Sequence, residues 1–252
     1  MSPAADSPAL TRATGSAANG AAGFKPTSDG RRPGVERRAQ IVDETLRLVA
    51  EHGLAGASMS RIAEAVGISN AALYRHFDSR EDILIAAHDV LMDRIFTWLK
   101  SSRTPSVLDR LREMGESHAS LFSKDIEGFN APMFQFISWI PKDRIHEHVV
   151  QRRVDMLRWY ADLVEEGKAQ GTIRTDIEID LIVAELFAWI WWEDLSYLEG
   201  LDTEMTLKGS ANMLARLLDR ISAPGAAAQP AAAQCVPAAG ASPFSSLPTA
   251  TD

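Results

Sequence analysis

From about residue 35 to residue 221, apolar residues recur at intervals of three and four, and no sustained alternation of apolar and polar positions bounded by hairpin turns interrupts them. This pattern predicts an all-α chain. The first helix is expected over 35–52, with Ala39, Val42, Leu46 and Val49 on one face. Gly53 stands where a helix C-terminus favours a positive φ. Ser58 offers an N-cap for a short helix burying Ile62, Ala63 and Val66, and Gly67 ends it. Ser69 caps a second short helix, 70–76, anchored by Leu73 and Phe77. Ser79 caps a longer one to about residue 100, with Asp82 at capping-box distance and Ile83, Ala87, Val90, Arg94 and Trp98 along one stripe. Further helices are predicted over 106–123, 130–138, 142–170, 176–199 and 203–221, the last striped by Leu207, Leu214, Leu217 and Ile221.

Composition divides this helical stretch from two tails. Residues 1–33 and 223–252 are rich in Ala, Pro, Gly and Ser, and carry too little apolar bulk to offset the entropy of ordering. The expected organisation is therefore tail 1–33, a small three-helix domain 34–82, a larger helical bundle 83–222 and tail 223–252. A hydrophobic content of 46% is ample for a buried core. The single cysteine, Cys235, rules out a disulfide framework and fits a reducing, cytoplasmic setting. The N-terminal stretch has no apolar run of the secretory kind, and the run from Leu181 to Trp192 is short and interrupted by Glu185, so no membrane is expected.

The segment from Ser58 to Phe77 fits a helix-turn-helix. Ala63 is small where two helices pack closely, Gly67 permits the tight turn, and Ile62, Val66, Ile68 and Leu73 anchor both helices. The second helix of such a unit presents its N-terminal residues to base edges in the major groove. Here Ser69, Asn70, Ala71 and Ala72 are small enough for close approach, and Tyr74, Arg75, His76 and Arg80 follow as hydrogen-bond donors. The bare pattern also fits a compact helical hairpin without a ligand.

The residues Ile62-Ala63, Gly67-Ile68-Ser69, Leu73-Tyr74, His76-Phe77 and Ser79-Arg80 stand in register with the pattern I-A-x-x-x-G-V-S-x-x-x-L-Y-x-H-F-x-S-K. In this respect the run from about Arg37 to Asp82 resembles the DNA-binding domain of the TetR/AcrR family of transcriptional regulators. The resemblance implies a homodimeric, ligand-responsive regulator of double-stranded operator DNA, usually a repressor, with a C-terminal bundle for effector binding and dimerisation and with no cofactor. It implies base reading from Ser60, Asn70, Ala71 and Ala72, and phosphate contacts from Ser58, Tyr74, His76 and Arg80. Ser60 replaces a longer side chain usual at its position, so Arg61 is expected to take over a groove or backbone contact. Asn70, suited to bidentate contact with adenine, would dominate readout, with the two alanines against thymine methyls.

Charge narrows this picture. The chain carries a formal −8, and residues 34–82 hold six arginines against eight acids, a net of −2 that Arg31 and Arg32 bring to zero. Affinity must come from a few placed arginines and backbone amides, with a salt slope of fewer than about five phosphates per subunit. Arg31, Arg32, Arg37 and Arg38 also suit a basic arm in a neighbouring minor groove.

All six tryptophans lie beyond residue 97. Trp98, Met114, His118, Phe122, Met133, Phe136, Trp139, Trp159, Glu185 and Trp189 are candidates to line an effector cavity between helices. Each is equally a candidate for plain core, and Glu185 for pairing across a dimer seam. The last two helices carry more apolar residues than one core can take, which implies a partner surface; Trp191 and Trp192 belong either there or to the cavity. Nothing points to catalysis: there is no G-x-S-x-G elbow, Walker loop or G-x-G-x-x-G turn. His146 and His148, at i and i+2, point to different sides of a helix, so no metal site is expected. An activator of the same fold, or a helical ligand-binding protein or enzyme without DNA function, is the alternative.

Overall fold

The computed structural model describes residues 34–122, 126–139, 141–201 and 204–225, with the side chains of 119–127 left aside. The predicted tail 1–33 lies outside them, as does the predicted tail 223–252 beyond Gly225. The described residues form α1 (Gly34–Gly56), α2 (Met59–Val66), α3 (Asn70–Leu73), α4 (Arg80–Leu99), α5 (Val107–Phe122), a π-helical turn (Ile126–Asn130), α6 (Ala131–Ile137), α7 (Arg144–Ala169), α8 (Ile179–Leu198) and α9 (Glu204–Ile221). No strand occurs among them; an isolated bridge between Ile173 and Ser222 ties the α7–α8 connection to the end of α9.

The boundaries follow from the expected caps. Ser58 Oγ accepts from the Arg61 N–H at 3.3 Å, Ser69 Oγ from the Ala72 N–H at 3.1 Å, and Ser79 Oγ from the Asp82 N–H at 3.1 Å. Gly67 ends α2 at φ +73°, a conformation that strains any residue with a Cβ. At Gly53, also positive in φ, the chain kinks and coils on for another turn to Gly56 instead of ending. α3 is shorter than expected, its coil continuing through turns to Phe77.

Two cores form. The first unites α1 to α4 with Phe129, Met133 and Phe136, and with Ile145 and Val149 at the start of α7. The second lies among α5, α7, α8 and α9 around Leu111, Val164, Leu186, Leu214 and Leu218. Ile95, Phe96, Trp98 and Met156 pack against both. On α4 the fully buried face is Ile83, Leu84, Ala87, His88 and Leu91, not the stripe through Arg94, which turns out to Asp43 at 3.4 Å. On α9, Leu207 is exposed instead of joining Leu214, Leu217 and Ile221 in the core. α5 and α9 approach closely at Gly115, where an added Cβ would lie 2.2 Å from Leu214 Cδ2.

Candidate functional site

The head is built to hold one face of α3 outward. Leu73 and Phe77 sink into the first core, and Ile62 and Ala63 of α2 lie beneath them. Arg38 of α1 seals the far end: its Nη1 donates to the His76 carbonyl at 2.6 Å, and its guanidinium lies 3.8 Å from the Phe77 ring centre. With those anchors fixed, Ser69, Asn70, Ala71, Tyr74 and Arg75 stand exposed, Tyr74 at 54%, and Ala72 and His76 are half-buried. Ser60 and Arg61 are exposed on the adjoining α2, and Arg61 Nη1 donates to the Gly56 carbonyl at 3.3 Å. One surface thus collects short polar side chains at the start of a helix, with longer donors one turn on.

Several expected DNA contacts have intramolecular work, Ser69 as the α3 cap and Arg61 on the Gly56 carbonyl among them. Ser58 uses its oxygen as the α2 cap. Arg80 turns inward: Nε donates to the Ala57 carbonyl at 2.7 Å and Nη2 to that of Leu54, fastening α4 to the end of α1. Burial pulls its pKa below the usual arginine range. Of the basic arm, Arg31 and Arg32 lie outside the described residues, Arg37 binds Gln40 at 2.9 Å, and Arg38 is the α3 clamp.

The second feature is a cavity of about 70 Å³ between α4, α5, the π turn, α6, α7 and α8. Its walls are Ile95, Trp98, His118, Phe129, Met133, Phe134, Ile137, Arg153, Met156, Tyr160, Phe187, Ile190, Trp191 and Asp194. Of the residues expected there, Trp98, His118 and Met133 line it. Met114 is second-core packing and Phe136 first-core packing against His88. Trp139 donates Nε1 to Asp143, the α7 cap, at 2.9 Å, and Trp159 packs edge-on to Tyr160. Trp189 is buried with Nε1 on Ser210 Oγ at 2.8 Å, and Glu185 pairs with Arg220 at the surface. The Phe122 side chain lies outside the described residues. Trp191 belongs to the wall, whereas Trp192 is 38% exposed.

Of the cavity's polar side the sequence points to His118 but not to its acidic partners or to Arg153. His118 Nδ1 lies 2.6 Å from Glu193 Oε2, and Nε2 lies 3.6 Å from Asp194 Oδ1. Ser210 of α9 donates to the other Glu193 oxygen. Burial alone would lower the His118 pKa, but the Glu193 hydrogen bond and the two carboxylate charges outweigh it and raise it. Burial lifts the Asp194 carboxyl to about 6 and pushes the Tyr160 phenol upward. The available signal was the α7 register: Arg153, Met156 and Tyr160, at i, i+3 and i+7, share one face.

A helix-turn-helix with a free recognition surface, set on a helical body, defines a DNA-binding regulator. Residues 41–87 match the family model for bacterial regulatory proteins of the tetR family. The HTH-type transcriptional repressor KstR2 of Mycolicibacterium smegmatis is 26% identical over 152 residues, covering 58% of this chain and 72% of that protein. A TetR transcriptional regulator from Chloroflexus aurantiacus superposes with a TM-score of 0.65 at 21% identity, covering 75% of this chain and 98% of that one. The transcriptional regulator FadR of Bacillus subtilis, solved with stearoyl-CoA, gives a TM-score of 0.59 at 19% identity over 73% and 98% of the two chains. Residues 41–87, which include the helix-turn-helix, are thus similar to the DNA-binding segment of tetR-family regulators. That family comprises DNA-binding regulators, not enzymes. No helix among the described residues is long and apolar enough to cross a membrane.

Proposed function

We propose that this protein is a homodimeric, cytoplasmic repressor that leaves a palindromic operator when an apolar or aromatic small molecule fills the cavity. The observation that carries the reading is the double role of α6. Met133, Phe134 and Ile137 face the cavity, while Phe136 lies in the core shared with α1 and the Gln135 side chain reaches Gly53, where a Cβ would meet it at 3.0 Å. A cavity of about 70 Å³ has room for a few waters, well below the ~300 Å³ of common ligand sites. An effector must therefore push its walls apart, and α6 passes that displacement to α1 under the head. α4, which carries Ile95 and Trp98 of the cavity wall, offers a second route. The repressor sense is supported by the KstR2 likeness.

In this reading Asn70 reads adenine, Ser60, Ser69, Ala71 and Ala72 set the close approach, and Arg61, Tyr74, Arg75 and His76 hold phosphates. Ser58 and Arg80 serve by fixing the two helices. The dimer seam is the outward side of α8 and α9, where Leu181 (49%), Trp192 (38%) and Met205 (80%) are exposed along with Leu195 and Met213. An apolar seam there would bury what water now wets. The half-buried Glu185–Arg220 pair joins the same two helices.

The test is footprinting of the full chain on the DNA upstream of its own coding region. Two protected half-sites about 34–36 Å apart are expected, released by an apolar compound. Protection that no compound binding the wild-type cavity can lift would sink the induction model; a protein that stays monomeric at protecting concentrations would sink the dimer.

A further inference from the structure

Arg153 is at odds with its surroundings. It stands in a wall that is otherwise largely aromatic and aliphatic, its guanidinium 4.4 Å from the Phe187 ring centre and 4.7 Å from that of Trp191. It makes no hydrogen bond or ion pair with any described residue, although Asp194 belongs to the same cavity. Asp194 is directed instead at His118, 3.6 Å away. The body arginines with buried N–H groups, Arg110, Arg152 and Arg220, each have a carboxylate partner. Two aromatic faces therefore hold a desolvated cation in place while its forked donors remain available. Burial draws its pKa down, the sign of a charge short of solvent and of a partner.

Building on the reading of this cavity as the effector site, we propose that the effector is an amphipathic acid: an apolar body among Trp98, Met133 and Phe134, and one oxyanion head seated on Arg153. The planar guanidinium suits either a carboxylate or a phosphate monoester, since both offer two oxygens to its fork. A neutral apolar molecule would fill the cavity but leave the half-buried charge unpaired, and a cation would meet it directly. His118 stands in the same wall, bound to the Glu193 carboxylate at 2.6 Å and 3.6 Å from that of Asp194.

The experiment uses the full chain with three matched probe series: medium-chain and phenyl-terminated carboxylic acids, the corresponding primary alcohols, and the corresponding alkyl phosphates. Binding is followed by tryptophan emission, because an anion that draws Arg153 away from Trp191 changes the surroundings of that indole. Acids or phosphates are expected to bind about tenfold to a hundredfold more tightly than the matched alcohols, the range of a charge-assisted pair. Which series is preferred identifies the head group. Arg153→Gln should abolish that preference while leaving alcohol binding unchanged, and Arg153→Lys should keep part of it. Equal binding of acids, phosphates and alcohols by the wild type, or a preference that survives Arg153→Gln, overturns the proposal. Met133→Trp, which fills the cavity, separates the two readings: if it leaves all binding intact, the cavity is not the effector site. If it abolishes binding that showed no head-group preference, the cavity stands and the anion anchor falls. No binding by any series overturns both.

Discussion

Below the head, the first core encloses little polarity. Thr45 returns its hydroxyl to the Ile41 carbonyl at 2.7 Å within its own helix, and His88 sits neutral against Phe136, burial holding its pKa down to about 3. In the body, by contrast, His118, Glu193 and Ser210 form a buried chain across three helices, with Asp194 and Arg153 beside them. Buried ionisable groups are costly unless fully partnered. A region that only has to present a surface keeps its polar groups outside. The region proposed to admit a molecule keeps a polar wall next to an empty space, which is where a ligand can supply missing contacts.

The sharpest break of this contrast is His118→Leu. It strips Glu193 of its cationic partner in a dry site and should cost about 4 kcal/mol in urea denaturation, whereas His118→Leu with Glu193→Gln should recover part of it. A single variant as stable as the wild type would mean that the trio is wet and the contrast is not real.

The two regions should also respond to pH in opposite directions. His88 is depressed from 6.5 to about 3, so the unfolded chain takes up its proton first: its contribution is complete above pH 6.5 and lost as pH falls toward 3, about 3 kcal/mol by pH 4. His88→Leu should flatten that acid limb. His148 and Arg152 are the charged or titratable neighbours that deepen the effect. Asp194 is raised from 3.8 to about 6, so its contribution is complete below pH 4 and is lost as pH rises through 6, about 3 kcal/mol. Asp194→Asn should be relatively more stable at pH 7 than at pH 4; parallel pH curves for variant and wild type would refute this.

Gly115→Val tests the packing of the body alone. Its side chain would enter the space of Leu214, and a loss of about 2 kcal/mol is expected in thermal melting with DNA contacts of the head left intact. The smallest effect belongs to the exposed face of α3. Asn70→Ala should weaken operator binding by about 1–2 kcal/mol in a gel-shift titration, with no change in melting temperature. A loss of stability there would show that Asn70 is structural.

Legibility tracked the range of the interactions. The caps at Ser58, Ser69 and Ser79 and the turn at Gly67 each satisfy backbone groups within three or four residues, so the pattern of residue types reveals them. Arg80 was misplaced because its partners, the carbonyls of Leu54 and Ala57, are 26 and 23 residues back, and a phosphate-facing arginine looks no different in sequence. The cavity fared worse: Trp139, Trp159 and Trp189 are as apolar and aromatic as Trp98 and Trp191, and only the packing of α4 to α8 sorts wall from core. Arg153 was overlooked because an arginine on a long helix ordinarily faces water.

The sequence by itself determined that the chain is helical and where its short N-terminal helices begin and end, because periodicity and capping are local. It also determined the excess of apolar residues on the last two helices. Tertiary structure alone decided which aromatics enclose space, that α6 touches both the cavity and α1, and that a half-buried cation has no carboxylate partner among the described residues. Those are properties of distances between elements far apart in the chain, and residue spacing does not encode them.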